Sequence, residues 1–152
     1  MKNIQKHATI MTTKQKNKLK CSVSCSFGEV IDKITILKIK LSKSREINDV
    51  ACYQNIQTEL NRLESQNPLA QTSDTLFEQL SDVNIRLWNL EDRIRAKSTK
   101  QEFDETYIEL AEAIHKTNDK RCQLKRAINT KYGSEIVEEK IYNNLNFLEQ
   151  KQ

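Results

Sequence analysis

Apolar side chains recur along this chain at intervals of three and four residues, the period of a helix with one buried face. The clearest run is Leu76, Leu80, Val83, Leu87, Leu90 and Ile94, a 4-3-4-3-4 repeat with no polar member, opened by a Thr75/Glu78 capping box. Such a seam lets helices pack at shallow angles, and at ~1.5–3 kcal/mol per fully buried aliphatic side chain it supplies roughly ten kcal/mol of gross stabilisation. Trp88 and Arg95 lie to one side of it, Glu91 at its edge and Asp92 further round.

A second block, Ser26 to Leu41, opens with Ser26 and Glu29 in capping-box relation and predicts a helix to about Lys43. Val30, Ile34, Leu37 and Leu41 form one stripe, while Ile31, Ile36 and Ile39 fall outside it. A helix apolar on several sides suits packing against more than one neighbour. The alternation from Leu37 to Leu41 also fits a strand, but no neighbouring stretch offers it a sheet partner. Ahead of this helix, Cys21, Val23, Cys25 and Phe27 alternate with serines, an extended lead-in expected to lay apolar side chains on the bundle.

Asn48 or Asp49 caps a second predicted helix carrying Tyr53, Ile56, Leu60 and Leu63, which Asn67-Pro68 ends because the residue before proline is pushed out of the helical region. A fourth helix is predicted from Gln101 to Lys131, its seam starting with Phe103, Tyr107, Leu110 and Ile114. The next two core positions are Thr117 and Arg121, before Leu124 and Ile128 resume, and Asn118, Lys125 and Asn129 share the side of Arg121. Gly133 stops this helix, and Ser134 is expected to cap a last amphipathic piece with Ile136, Val137, Ile141, Leu145 and Leu148. The fold class expected is all-α, an antiparallel up-down bundle of four main helices plus a short C-terminal helix, in one domain over residues 21–149.

Two glycines, one proline and 30% charged residues agree with a helical chain of short turns. Gly28 and Gly133 stand too far apart for a phosphate-cradling GxxxxGK loop or a GxGxxG fingerprint. The net charge of +4 changes meaning once it is located: residues 1–20 hold six lysines and no acid, leaving −2 for the rest. Residues 1–20 therefore read as a disordered basic arm, and nucleic acid is not expected as a partner. The arm lacks the apolar core of a secretory signal, and no run reaches the ~18 apolar residues of a membrane span. Cys21, Cys25, Cys52 and Cys122 do not fall at zinc-site spacing, and only His7 and His115 could assist them. Buried or half-buried thiols in the cytoplasm are expected, with no metal, no cofactor and no cysteine or serine nucleophile.

In an up-down bundle the start of the first helix lies beside the end of the fourth. Glu29, Asp32 and Lys33 are then expected to face Asn118, Arg121, Lys125 and Asn129, with Trp88, Glu91, Asp92 and Arg95 near the opposite end. An arginine at a core position needs a carboxylate, and Asp32 or Glu29 is the expected partner of Arg121. The seven residues form either a salt-bridge network that fixes helix register or a site for a small anion with Arg121, Lys125 and Lys33 as donors.

The stretch GEVIDKITIL from Gly28 to Leu37 resembles a small uncharacterised bacterial helical family. So do Trp88 with Leu90 to Asp92 and Arg95, Thr117 to Arg121 with Lys125 and Asn129, and Gly133-Ser134 with Glu138 to Lys140. The resemblance covers about residues 23–142 and leaves out the arm and the Asn/Gln-rich tail after Tyr142. It implies a setting among enzymes that assemble lipopolysaccharide and other surface glycans, and no reaction. Two functions are expected to compete. One is an accessory protein that docks a partner protein or a second copy of itself. The other is a small helical enzyme acting on a phosphorylated or carboxylated molecule, either a mutase-like cage or a magnesium-dependent pyrophosphohydrolase using Glu29 and Asp32.

Overall fold

The structure, a computed structural model, describes residues 21–140. Four helices follow in order: α1 (Phe27–Glu46), α2 (Val50–Gln66), α3 (Thr75–Thr99) and α4 (Glu105–Tyr132), with one 3-10 turn at Pro68–Gln71 and no strand among the described residues. The chain is all-α and its helices pack as a bundle. None of the described helices is long and apolar enough to cross a membrane.

Every helix opens on an oxygen-bearing cap that satisfies a backbone donor left orphaned by the helix start. Ser26 Oγ accepts from Glu29 N (3.2 Å) and Asp49 Oδ1 from Cys52 N (2.9 Å), as their spacing predicts. The carboxylate of Glu29 does not close a capping box; it receives the ammonium of Lys125. At α3 the cap is Asp74, one residue ahead of the expected Thr75, its Oδ1 accepting from Leu76 N at 2.8 Å. A carboxylate is the stronger acceptor and also meets the positive end of the helix dipole. The expected start of α4 at Gln101 is corrected in the same way. Asp104 caps it, accepting from Tyr107 N (3.1 Å) and from the Lys97 ammonium (2.7 Å), which leaves Phe103 in the turn and 63% exposed. Gly133 ends α4 in the left-handed region (φ 63°), where a side chain is strained.

Helix α1 is the centre of the molecule. It packs against α2, α3 and α4, α3 runs along α4, and α2 approaches only α1 and the 3-10 turn. This accounts for its apolar residues on several sides: Ile31, Ile34 and Leu37 are buried among Leu60 of α2, Phe77 and Leu80 of α3, and Leu124 and Ile128 of α4. The buried face of α3 is broader than its apolar row, taking in Phe77 and Asn84 while Leu76 and Val83 are half-buried. At the end where α1 and α3 begin and α4 finishes, Phe27, Phe77 and Tyr132 stack with ring centroids 5.1–6.1 Å apart. Beside them the buried Asp74 takes the Lys131 ammonium and the Tyr132 hydroxyl, each at 2.5 Å. Lys131 first, and then Tyr132, hold its pKa down at about 2.

Three expectations about the chain ends are corrected. Of the lead-in's apolar side chains only Phe27, the first residue of α1, packs on the bundle: Cys21 and Cys25 are exposed and Val23 is 80% exposed. Phe27 N donates to Ser134 Oγ (3.0 Å), so α1 begins level with the end of α4 and the residues before it run past the apolar surface. Only Cys52 and Cys122 are half-buried as expected, and all four thiols are free. Ser134 caps no helix, and residues 134–140 are non-helical; its hydroxyl bonds instead to Phe27 N and Ile136 O. Ion pairs fasten this segment along α4, Glu138 to Lys125 (2.5 Å), Glu139 to Arg126 (3.5 Å) and Lys140 to Asp119 (3.3 Å). Residues 1–20, and Ile141, Leu145 and Leu148 of the expected C-terminal helix, lie outside the described residues.

Candidate functional site

The site begins with a glycine. A Cβ on Gly28 would stand 2.5 Å from the carbonyl oxygen of Lys125 and 2.9 Å from Asn129 Oδ1, so only glycine lets the first turn of α1 lie this close to α4. Asn129 Oδ1 accepts from Gly28 N at 2.6 Å, and Asn129 is thereby a structural brace, buried to 3% exposure. This close approach carries Asp32, one turn further along α1, to Arg121 on α4.

Asp32 is 1% exposed, and its carboxylate accepts from Arg121 and Asn84. Arg121 Nε donates to its Oδ1 at 2.8 Å and Arg121 Nη2 donates to its Oδ2, a two-pronged pair. Asn84 Nδ2 donates to the same Oδ1 (2.8 Å) and to Thr35 Oγ1 (2.8 Å), whose own hydroxyl donates to the Asp32 carbonyl (2.8 Å). The Asp32 carboxylate raises the pKa of Arg121 above its ordinary value. One turn toward the end of the bundle, the buried Lys125 ammonium is shared by Glu29 and Glu138. Burial pushes the Lys125 pKa down, but its bonds to Glu138 and Glu29 outweigh this and leave it raised. Glu138 is correspondingly lowered by Lys125.

Lys33 does not join this group. It pairs with Glu59 of α2 at 2.7 Å, because one residue beyond Asp32 is a 100° step round the helix, away from α4. Glu29 and Asp32 are held by Lys125 and Arg121, so they do not form the carboxylate pair a magnesium enzyme would use. Among the described residues no group of three or more His, Cys, Asp or Glu side chains is placed to share a metal ion.

Arg121 opens onto a cleft of about 400 Å³ between α3 and α4, with Ile36 of α1 at its base. Asn84, Leu87, Trp88, Glu91, Asp92 and Arg95 of α3 line one wall and Asn118 and Arg121 of α4 the other. The expectation that Trp88 to Arg95 sit at the far end is therefore corrected. Trp88 lies about 20 Å along α3 from its start and Arg121 about 17 Å from the end of α4, so the two are level. Helices α3 and α4, of 25 and 28 residues, outrun the 20-residue α1, and what seemed a tip is a midpoint.

Hydrogen-bonding capacity remains in this cleft. Of the five guanidinium N–H groups of Arg121, two are spent on Asp32 and three have no acceptor among the described residues. Asn84, 4% exposed, donates with Nδ2, and its Oδ1 accepts from nothing among the described residues. Glu91 pairs with Arg95 at 3.5 Å, while Asp92 is exposed with no ion-pair partner among the described residues. Sequence reasoning missed Asn84, Thr35 and the cleft wall. The Asp32-x-x-Thr35 spacing was the one available trace, since it places both on one face of α1.

The model of a family of unknown function, DUF6165, matches residues 19–147, and the chain belongs to that family. The match starts ahead of residue 23 and runs past Tyr142, where the resemblance was expected to stop. No curated protein and no solved structure matches the chain.

Proposed function

We propose that this family member is a small accessory protein that holds a low-molecular-weight ligand by an acidic group, in the cleft between α3 and α4. One observation carries the proposal: the guanidinium of Arg121 is fixed by a buried carboxylate, yet the Arg121 side chain is 28% exposed and three of its N–H groups have no acceptor among the described residues. A partly exposed cation leaves the outer N–H groups of the fork open to solvent or to a ligand. Here the carboxylate is behind and the cation in front, an orientation that pre-organises a fork for a carboxylate or phosphate. The small-anion site expected at Arg121, Lys125 and Lys33 is thus reassigned: Lys125 and Lys33 are engaged with acids, and Asn118 stays with Arg121 at the cleft.

The proposal extends to setting and partner. The protein would act in the cytoplasm, consistent with four free thiols. Its partner would be an enzyme of surface-glycan assembly, the class implied by the resemblance, resting on exposed apolar side chains such as Phe103 and Ile108. Pull-down against such enzymes tests the partner. The pyrophosphohydrolase form of the catalytic alternative needs Glu29 and Asp32 acting together, and cations hold both.

Trp88 is the single tryptophan of the chain and lines the cleft, so its fluorescence reports occupancy directly. Titration with carboxylates, sugar acids, phosphosugars and inorganic phosphate is expected to give a saturable change for at least one acid. Arg121→Lys keeps a cation beside Asp32 but loses the fork, and is expected to weaken that acid by about tenfold or more. The reading fails when no acid moves the Trp88 signal at millimolar concentration, or when Arg121→Lys binds as tightly as the parent.

A further inference from the structure

We infer that the ligand is a small zwitterion, a molecule carrying one acidic group and one protonated amine. The inference rests on the reading that Arg121 receives an acid in this cleft, and it adds what the rest of the ligand must be. Trp88, Glu91, Asp92 and Arg95 stand at i, i+3, i+4 and i+7 of α3, one helical face turned to the cleft. That wall carries an indole and two carboxylates within a turn of one another, and of the two carboxylates only Glu91 has an ion-pair partner among the described residues, Arg95. A cation lying against an aromatic face beside a carboxylate is attracted by both. The opposite wall carries Arg121.

The charges along the cleft cancel, two carboxylates against two guanidiniums, and Asp32 behind Arg121 adds one negative charge. A polyanion such as a nucleotide polyphosphate therefore meets no net attraction here. A ligand whose own charges are separated meets the opposite sign at each wall. Asn84 points the same way from an independent observation. Its amide is oriented by donating to Asp32 and Thr35, so its Oδ1, which accepts from nothing among the described residues, is open to an N–H or O–H from a ligand in the cleft. A bare carboxylate anion brings no such donor.

The test uses the full chain and Trp88 emission. Glycine, β-alanine and γ-aminobutyrate vary the spacing between the charges, butyrate and inorganic phosphate supply acid alone, and butylamine supplies amine alone. At least one zwitterion is expected to bind about tenfold more tightly than both butyrate and butylamine. Asp92→Asn, an exposed position with no ion-pair partner among the described residues, is expected to erase that margin with the circular dichroism unchanged. Butyrate or phosphate binding through Arg121 with no zwitterion tighter than the acid alone overturns this inference and leaves the proposed function standing. A margin that survives Asp92→Asn also overturns it. Silence toward acids and zwitterions together overturns both.

Discussion

Gly28→Ala tests the closest helix approach in the molecule. The added methyl would stand 2.5 Å from the Lys125 carbonyl oxygen, 3.0 Å from its carbon and 2.9 Å from Asn129 Oδ1. Non-bonded heavy atoms settle at ~3.5–4.0 Å, so α1 must retreat by about 1 Å. Neither obstacle yields easily: one is helix backbone, and the other is a buried side chain already bonded to Gly28 N at 2.6 Å. Overpacking costs ~1–3 kcal/mol and loss of the buried Asn129 bond ~1–3 kcal/mol, against a gain of at most ~1 kcal/mol from the better helix propensity of alanine. The net is destabilisation by roughly 3 kcal/mol, which at ~2–4 °C for each kcal/mol in a chain of this size lowers Tm by roughly 10 °C. Thermal melting by circular dichroism measures it. Gly133→Ala is the comparison, because no atom of the described residues is found within 4 Å of a Cβ built there and the cost comes from the left-handed backbone, ~1–2 kcal/mol. A Gly28→Ala melting temperature equal to the parent's, or above it, would refute the packing on which the Asp32–Arg121 pair depends.

Arg121→Gln, which strands the buried Asp32 carboxylate, is expected to destabilise by ~3–5 kcal/mol in urea titrations, Asp32→Asn, which leaves a partly exposed guanidinium, by ~1–3 kcal/mol, and the double variant by clearly less than their sum. Lys33→Met, on a pair open to solvent, should fall within ~0.5 kcal/mol of the parent, whereas Lys125→Met, which releases Glu29 and Glu138 together, should cost ~1.5–3 kcal/mol in the same assay. Asp74 has its pKa lowered from 3.8 to about 2, so its contribution to stability is fully present above pH 3.8 and is lost as pH falls toward 2. Melting temperatures taken between pH 4 and 2 should therefore fall more steeply for the parent than for Asp74→Asn.

Much of this architecture is written locally. Ser26, Asp49, Asn67-Pro68 and Gly133 each act on the few backbone groups beside them, and their spacing alone places the boundaries they make. The Asp32–Arg121 pair was legible for a different reason: a guanidinium in a core position has few ways to be satisfied, and topology left two carboxylates within reach. Relative helix lengths are not local. They decided that Trp88 faces Arg121, and a repeat of apolar residues carries no information about where along its neighbour a helix sits. Asn84 escaped because periodicity registers apolar residues, and an asparagine beside Val83 looks like solvent-facing filler until its partners on α1 are known. Ser134 misled because a serine after a helix-ending glycine resembles a new cap, while its hydroxyl is used across the bundle by Phe27.

The second helix touches the rest of the bundle through α1 and the 3-10 turn alone. It works as a buttress to α1, its Leu60 closing one side of the core while the three other helices carry the site. In amide hydrogen exchange its backbone should open as a separate cooperative unit, trading protons sooner than the interior of α1 and at a rate indifferent to whatever fills the cleft.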